Sequence, residues 1–474
     1  MKRSAFLAIS AGLLLAGCDL APKYIRPGLP VPATTPANPP VAAGIRPAIV
    51  PADTAWRDFF VEDRLRDLLA LAIENNRDLQ LAVANVGQAR ALYRVQRADL
   101  LPTVAASGGA TYQKNPIGAV GGVGAGAAAG SGRFDIYSAS VGISSWEIDL
   151  FGRVRNLTKA AREQYFASEE NRNAAQTALI AETASAWLTM AADQERLRIA
   201  RDLEQAFGKT LELTRARFRS GIASELEVRQ AQTSHDQARS DIAAATTLVA
   251  QDQNALNLLA GTTVPAALLP DSLGERDATL DSLPAELPSD VLLRRPDIAA
   301  AEHQLRAGNA NIGAARAAFF PRISLTAALG TTSIGLSNLF ASGSDFWSVA
   351  PSASLPIFDF GRNSGNVAYA RASYQALVAQ YEKAVQQAFR EVADALARRA
   401  TIGEQLGAQR SLAEGARAGY RLSNARFRAG IDPFLTTLDA QRTLYSAEQG
   451  LVTTRLQRGL NAVELYRALG GGLR

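Results

Sequence analysis

The chain writes the same turn twice. Arg217–Ile222 reads RFRSGI, and 209 positions later Arg426–Ile431 reads RFRAGI. The spacing extends far beyond the turn. Phe151-Gly152-Arg153 matches Phe360-Gly361-Arg362, Ala231-Gln232 matches Ala440-Gln441, and Gly261 matches Gly470. Upstream the offset becomes 219, carrying Asp78 to Asp297 and Leu101-Pro102 to Phe320-Pro321. The ten-residue difference falls where the first copy carries the Gly- and Ala-rich loop GAVGGVGAGAAAG, Gly118–Gly130. A tandem duplication must fold as two similar halves, so a feature read in one copy constrains the other.

Proline marks where long helices fit. None occurs between Pro116 and Pro265, and after Pro356 only Pro433 remains. Proline breaks a helix interior, so these stretches are open to long helices. From Tyr374 the series Tyr374, Val378, Tyr381, Val385, Ala388, Val392, Ala395 alternates steps of four and three, the spacing of a coiled-coil seam. A helix from Arg153 to Phe218 would run about 100 Å at roughly 1.5 Å per residue. No ordinary globular domain needs that length.

Between the helices lie segments with a period of two. In Tyr137–Ser144, Tyr, Ala, Val and Ile alternate with Ser, Ser, Gly and Ser. Trp347–Leu355 and Pro321–Gly330 repeat the pattern, and Pro102–Tyr112 does so more weakly. These read as strands with one apolar face and one small polar face. A soluble sheet would need a cover for the apolar face, and no flanking helix carries a broad enough apolar stripe. Strands of about ten residues also cross a bilayer when tilted. Four strands cannot close a barrel, and lipid forbids an open edge. Several chains must then contribute to one barrel, with the small polar side chains lining a water-filled lumen.

The expected organisation is a signal peptide at 1–17, a lipidated proline-rich tether at 18–55 and a first repeat at 56–261. A linker at 262–290 leads to a second repeat at 291–474. Strands are expected at about 101–113, 133–151, 320–333 and 345–360, and helical hairpins at about 152–261 and 361–469. At the N-terminus, Lys2 and Arg3 precede an apolar run from Ala5 to Ala16 that is too short to span a bilayer and fits a secretory signal. It ends in Leu15-Ala16-Gly17-Cys18, with the only cysteine of the chain. The stretch resembles a bacterial lipobox, implying cleavage before Cys18 and attachment of S-diacylglycerol and N-acyl lipid there. Asp19 follows the cysteine, and in enteric bacteria an aspartate there usually signals retention at the inner membrane. Nine of the 20 prolines lie between Pro22 and Pro51, the composition of an extended tether.

Catalytic chemistry is not written in this chain. His235 and His303 are the only histidines, and they have no metal-binding spacing. Gly208-Lys209-Thr210 resembles the end of a phosphate loop, but Leu203 stands where the first glycine is required. Basic and acidic residues, 50 and 45, are interspersed and leave a net charge of +5, which excludes a nucleic-acid footprint. No cofactor is expected beyond the lipid, and the chain reads as a passive conduit.

Several stretches resemble one family. They are LAGC, APKYIRPGLPVP at Ala21–Pro32, LLRRPDIAAAEHQLRAGNANIGAARAAFFPRISLTAALG at Leu292–Gly330, DFGR at Asp359–Arg362 and LDAQRTLYSAEQ at Leu438–Gln449. Together they are similar to the TolC-like outer-membrane channel lipoproteins of tripartite efflux pumps, the OprM/NodT group. Lys23 stands where that group commonly has an acid.

The resemblance implies a mixed α and β, TolC-like homotrimer. Its twelve strands form one barrel in the outer membrane, and its long helices form a tube through the periplasm. It implies a periplasmic adaptor protein and a resistance-nodulation-division (RND) inner-membrane pump as partners. It places the adaptor-contact tips at Arg217, Phe218, Gly221, Ile222, Arg426, Phe427, Gly430 and Ile431. It places a periplasmic gate at Leu435 and Asp439, with Thr436 where TolC has a second acidic ring. The cargo reading is drugs or other small toxic compounds. A type I secretion or heavy-metal efflux channel is the alternative, and a non-pore lipid-anchored coiled-coil scaffold is the alternative of another class.

Overall fold

The computed structural model describes residues 19–34, 54–114, 133–274, 278–280 and 288–472. Three helices, α1 (Trp56–Phe59), α2 (Asp63–Asn75) and α3 (Arg77–Ala98), lead to strands β1 (Val104–Lys114) and β2 (Arg133–Glu147). The 67-residue helix α4 (Arg153–Arg219) turns back into α5 (Glu225–Ala260). The order then repeats as α6 (Pro296–Ala317), β3 (Arg322–Ser333), β4 (Asp345–Ser354), α7 (Arg362–Arg428) and α8 (Phe434–Ala468). α3 and α6 have 22 residues each, and α4 and α7 have 67 each, so the duplication is expressed element by element.

Two compact units divide these elements. The first comprises residues up to Arg26, Gly87–Ala167 and Glu302–Ala379. It holds the four-stranded antiparallel sheet, in the order β1-β2-β3-β4. Ser145, at φ 51°, sits in a bulge of β2 where the register against β3 shifts between Ile143 and Trp146. An extra residue in one strand bends it and increases its twist.

Asp19–Arg26 lies along one face of α6 in this unit. The carbonyl of Leu20 accepts from Arg316 at 3.2 Å, and that of Pro22 accepts from Asn309 Nδ2 at 2.8 Å. Tyr24 donates to Glu302 at 3.2 Å, and Arg26 pairs with Glu302 at 2.9 Å. Positions 302, 309 and 316 are spaced by seven, two turns of helix, and so share a face. Asp19 itself bonds Asn156 at 3.0 Å and Lys159 at 2.5 Å on α4.

The second unit comprises Pro27–Val86, Ser168–Ala301 and Gln380–Arg474. Its core packs Phe59, Phe60, Leu68, Leu256, Leu292 and Tyr466 with the α7 seam. Of that seam, Tyr381 through Ala395 is buried, while Tyr374 and Val378 are half-buried. Phe59 stacks on Tyr466 at 4.6 Å between ring centroids, and the Tyr466 hydroxyl donates to the Gly472 carbonyl at 3.0 Å.

One structural bond has been kept through the duplication with different chemistry. Asn76, just before α3, donates from Nδ2 to the Leu259 carbonyl at 2.9 Å. Arg295, just before α6, donates to the Ala468 carbonyl at 2.8 Å. Offsets of 219 and 209 relate these two pairs. Each residue satisfies a last-turn carbonyl of a return helix that has no intrahelical partner. Arg295 is buried and also bonds Asp297 at 2.7 Å and Glu391 at 3.0 Å.

Candidate functional site

The sheet separates its side chains by chemistry. Val104, Ala106, Gly108, Ala110 and Tyr112 of β1 lie opposite Ile143, Val141, Ala139, Tyr137 and Asp135 of β2. Val141 faces Leu329 of β3, and Leu329 faces Trp347 of β4. This apolar face leaves Val104, Tyr112, Leu329, Trp347 and Val349 exposed in the single chain. The other face carries small polar residues. Ser107 and Ser140 hydroxyls meet across β1 and β2 at 3.0 Å, and Ser324 and Ser352 meet at 2.8 Å.

Gly142 and Gly330 lie on this polar face. A Cβ on Gly142 would come within 2.4 Å of the Ala327 carbonyl oxygen, and one on Gly330 within 2.2 Å of the Ala139 oxygen. Backbone cannot retreat from such contacts, so the face has no room there for larger side chains.

The sheet has two unpaired edges, β1 and β4, because only three strand pairs exist among the described residues. Beyond β4, Ile357 is 95 % exposed and Phe360 is 90 % exposed. Their counterparts in the first repeat are covered. Ile148 donates its backbone N–H to the Ile323 carbonyl at 2.8 Å, and Phe151 stacks on Phe320 at 4.8 Å.

The two hairpin tips belong to the second unit, and their backbones match. Gly221 has φ 73° and donates to the Phe218 carbonyl at 2.9 Å, while Ile222 donates to the Arg217 carbonyl at 2.8 Å. Gly430, at φ 74°, donates to Phe427 at 3.0 Å, and Ile431 donates to Arg426 at 2.9 Å. This is the Schellman closure, whose left-handed position suits glycine and satisfies the last carbonyls of the helix. The repeated motif therefore encodes a helix stop.

The side chains around the turns have diverged. Phe218 is 44 % exposed, whereas Phe427 is 3 % exposed. Phe427 packs near Phe434 at 5.7 Å in a cluster with Phe207, Leu211 and Leu438. Arg217 lies over the Phe427 ring at 4.9 Å, while Arg426 grips Asp432 through two bonds of 2.7 and 2.8 Å. Those Arg426 bonds hold the Asp432 carboxyl below its ordinary value. The first tip closes with a capping box instead, in which Ser224 accepts from the Glu227 N–H and Glu227 accepts from the Ser224 N–H.

On α8, Phe434, Thr437, Leu438 and Gln441 are buried, and Leu435, Thr436 and Asp439 are exposed together on the opposite side. Cys18 lies outside the described residues.

Other sequence candidates have plain structural roles. Gly208-Lys209-Thr210 is inside α4. His303 pairs with Glu163 at 2.8 Å, and His235 pairs with Glu204 at 3.0 Å, each joining another helix to α4. Among the described residues no group of three or more His, Cys, Asp or Glu could hold a metal ion. No described helix is long and apolar enough to cross a membrane. Neither the Asn76 and Arg295 bonds nor the Asp432 clamp follow from any motif or period. Only a comparison of equivalent positions across the repeat could have raised them.

A duplicated chain with long helical hairpins and a four-stranded amphipathic sheet defines a class of envelope channel subunit. The chain belongs to the outer membrane efflux protein family, whose model matches residues 68–262 and again residues 287–471. It has the TolC-like fold of that family of non-enzymatic outer-membrane channels, which extend into the periplasm.

Among curated proteins it is similar to the toluene efflux pump outer membrane protein TtgC of Pseudomonas putida. The two are 44 % identical over 466 residues, covering 98 % of this chain and 95 % of the relative. It is 40 % identical over 477 residues to outer membrane protein OprJ of Pseudomonas aeruginosa, covering 100 % and 97 % of the two chains. Among solved structures it resembles the open state of the Neisseria gonorrhoeae MtrE outer membrane channel, with a TM-score of 0.81 and 36 % identity over 96 % of this chain and 99 % of that one. A membrane protein from Pseudomonas aeruginosa gives a TM-score of 0.87 at 40 % identity, covering 96 % and 98 %.

Proposed function

We propose that three copies of this chain close a twelve-stranded barrel and act as the exit duct of a tripartite efflux system. The single observation that carries this reading is the pair of open edges, β1 and β4, taken with the internal repeat. The β2–β3 pairing is the junction between the two repeats within one chain. By repeat equivalence, β4 of one copy meets β1 of the next in the same way.

The register follows from the strands already paired. An offset of 219 carries Val104 to Ile323, and one of 210 carries Ile143 to Ala353. Val104 and Ile143 are partners, and so are Ile323 and Ala353. Applied to Ile143↔Ala327 and Val141↔Leu329, these offsets pair Ala353 with Gly108 and Pro351 with Ala110 of the neighbour. Val349 then meets Tyr112. Apolar face meets apolar face along the whole seam. Beyond the β2 bulge the offset returns to 209, the extra residue disappears and the new seam runs without a bulge. Ile357 then reaches Val104 of the neighbour, and Phe360 covers its Leu101, which accounts for the exposure of these residues in a single chain.

Strands of 10 to 15 residues tilted by about 45° fit an apolar band roughly 25 Å tall. Tyr112, Tyr137 and Trp347 lie toward one end of the band, and Phe151, Phe320 and Phe360 toward the other, as aromatic girdles do at the two membrane interfaces. The crowded polar face with Gly142 and Gly330 faces the lumen.

Within this reading Cys18 carries the lipid anchor, and the tips at Arg217–Ile222 and Arg426–Ile431 meet the periplasmic adaptor of an RND pump. Leu435 and Asp439, with Thr436 beside them, line the periplasmic constriction. Three leucines near an axis form an apolar plug, and three aspartates attract cations. The names of the relatives, toluene, solvent and antibiotic efflux pump outer membrane proteins, support small apolar or amphiphilic compounds as cargo.

The test is a cysteine pair, Val349→Cys with Tyr112→Cys, in a Cys18-independent background expressed in membranes. Paired positions give cross-linked dimers and trimers on denaturing gels. Val349→Cys with Ala106→Cys lies six positions out of register, beyond the reach of a disulfide. Equal cross-linking by both pairs, or none by the first, would sink the seam.

A further inference from the structure

At another buried place the two repeats carry different chemistry. On α4, Asp193 is 4 % exposed. Its Oδ1 accepts from Arg196 Nη1 at 2.7 Å, and the same guanidinium donates through Nη2 to Thr453 Oγ1 of α8 at 3.0 Å. Asp252 of α5 lies against Asp193 within hydrogen-bonding reach. Its Oδ2 is buried with no partner that can donate to it. Two carboxylates in contact are both acceptors and repel when both are ionised. With one proton between them, they form a donor–acceptor pair.

The second repeat has no such pair. Offset by 209, Ile402 stands for Asp193, Gln405 for Arg196, and Asn461 for Asp252. Asn461 is buried and donates from Nδ2 to the Ala395 carbonyl at 2.9 Å. The amide carries permanently the donor that Asp252 gains only when protonated.

We infer that Asp193 and Asp252 hold one shared proton, and that its loss loosens the first hairpin where it is tied to α8, a proton-operated latch confined to one repeat. Every charge acting on Asp252 comes from α4: the carboxylate of Asp193 and the guanidinium of Arg196. From α8 the neutral Thr453 hydroxyl meets Arg196, and Arg455 of α8 is engaged with Glu195 of α4 at 3.2 Å. Burial, then the Asp193 charge, push the Asp252 carboxyl up to about 6, with Arg196 pulling the other way. Folding therefore takes up a proton here. The latch is complete below about 4, the ordinary aspartate range, and is lost as pH rises through about 6. Above that, Arg196 faces two anions while also holding Thr453, and the α4–α5 and α4–α8 contacts loosen together.

The experiment uses the intact protein in detergent micelles. Infrared difference spectra follow protonated carboxyl groups between about pH 4.5 and about pH 7.5, and hydrogen exchange follows the amides of α5 around Asp252. A carboxylic acid signal that titrates near pH 6 is expected in the unmodified chain and is absent in Asp252→Asn. Protection around Asp252, taken relative to the intrinsic exchange rate at each pH, falls several-fold across the same range and stays flat in Asp252→Asn, which copies the second repeat. If that variant fails to fold, the infrared titration of the unmodified chain decides alone. No acid titrating above about pH 5 in the unmodified chain, or protection in Asp252→Asn that falls with pH as in the unmodified chain, overturns the latch.

Discussion

The guanidinium of Arg217 rests on the ring of Phe427, 4.9 Å from its centroid, so the tip of the first hairpin leans on the second. The contact joins residues that the duplication did not make equivalent. Phe427 corresponds to Phe218, and Arg217 to Arg426. One phenylalanine became a support, and its copy stayed outside.

Truncating the two phenylalanines should therefore give unequal results. Phe427→Ala removes a buried ring and costs about 3–5 kcal/mol. Phe218→Ala touches an exposed ring and stays within about 0.5 kcal/mol. Arg217→Ala falls between them, at about 1 kcal/mol for a half-buried cation–ring contact. Chemical unfolding of the three variants orders them, and similar losses for both phenylalanines would refute the asymmetry.

Arg295 should resist conservative replacement. It is 6 % exposed and serves Asp297, Glu391 and the Ala468 carbonyl at once. Removing it leaves buried acceptors without a donor, at a cost of about 3–5 kcal/mol. Lysine has a single ammonium and cannot reproduce the fork. Arg295→Lys is expected to recover less than half of the loss seen in Arg295→Ala, as read by thermal unfolding.

The polar face of the sheet should reject even a methyl group at two positions. Gly142→Ala and Gly330→Ala each drive a Cβ into backbone, and overpacking costs about 1–3 kcal/mol. Gly335→Ala, outside the strands, is the control, because its nearest neighbour would be Asn338 Nδ2 at 3.8 Å. The fraction of chain running as an undissociated oligomer on mild gels should fall for the first two only.

Asp19 makes the N-terminal segment sensitive to acid. Burial pushes its carboxyl up, but the hydrogen bonds from Lys159, Asn156 and the Ala21 N–H outweigh this and hold it at about 2, against an ordinary 3.8. A depressed carboxyl stabilises the fold above its unfolded value, and that contribution disappears as pH falls from about 4 toward about 2. Lys159→Ala should move the loss to higher pH. Limited proteolysis of the segment at graded acidity reads the shift, and an unmoved profile would discount the clamp.

Asp439 and Leu435 can be separated by current through planar bilayers. Asp439→Ala should lower the preference for cations, and Leu435→Ala should raise the open probability with selectivity kept. A permeability ratio unchanged by Asp439→Ala takes that residue out of the constriction.

Much of the architecture was legible because it is periodic. Absent prolines and steps of three and four gave the long helices, and steps of two gave the sheet and its two faces. The β2 bulge was not legible, because Ser145 is one more small residue in an alternating run. Nor was the burial of Phe427 against the exposure of Phe218, since identical words were placed in different company. The bond shared by Asn76 and Arg295 was hidden for the opposite reason: two unlike side chains do one job. The contacts of Leu20 and Pro22 use carbonyl oxygens, which every residue carries and no composition reveals.

In the proposed trimer, the ladders of β1 and β4 that are unpaired in one copy are completed by its neighbours, so an isolated copy would not reach its lowest free energy. Stability of such an assembly is a matter of mass action, rising with the amount of chain present and undefined at infinite dilution. Between synthesis and assembly each molecule offers bare N–H and C=O groups to any strand it meets, so productive pairing runs in a race against aggregation. Slow export or scarce copies would be as damaging as a cavity in the core.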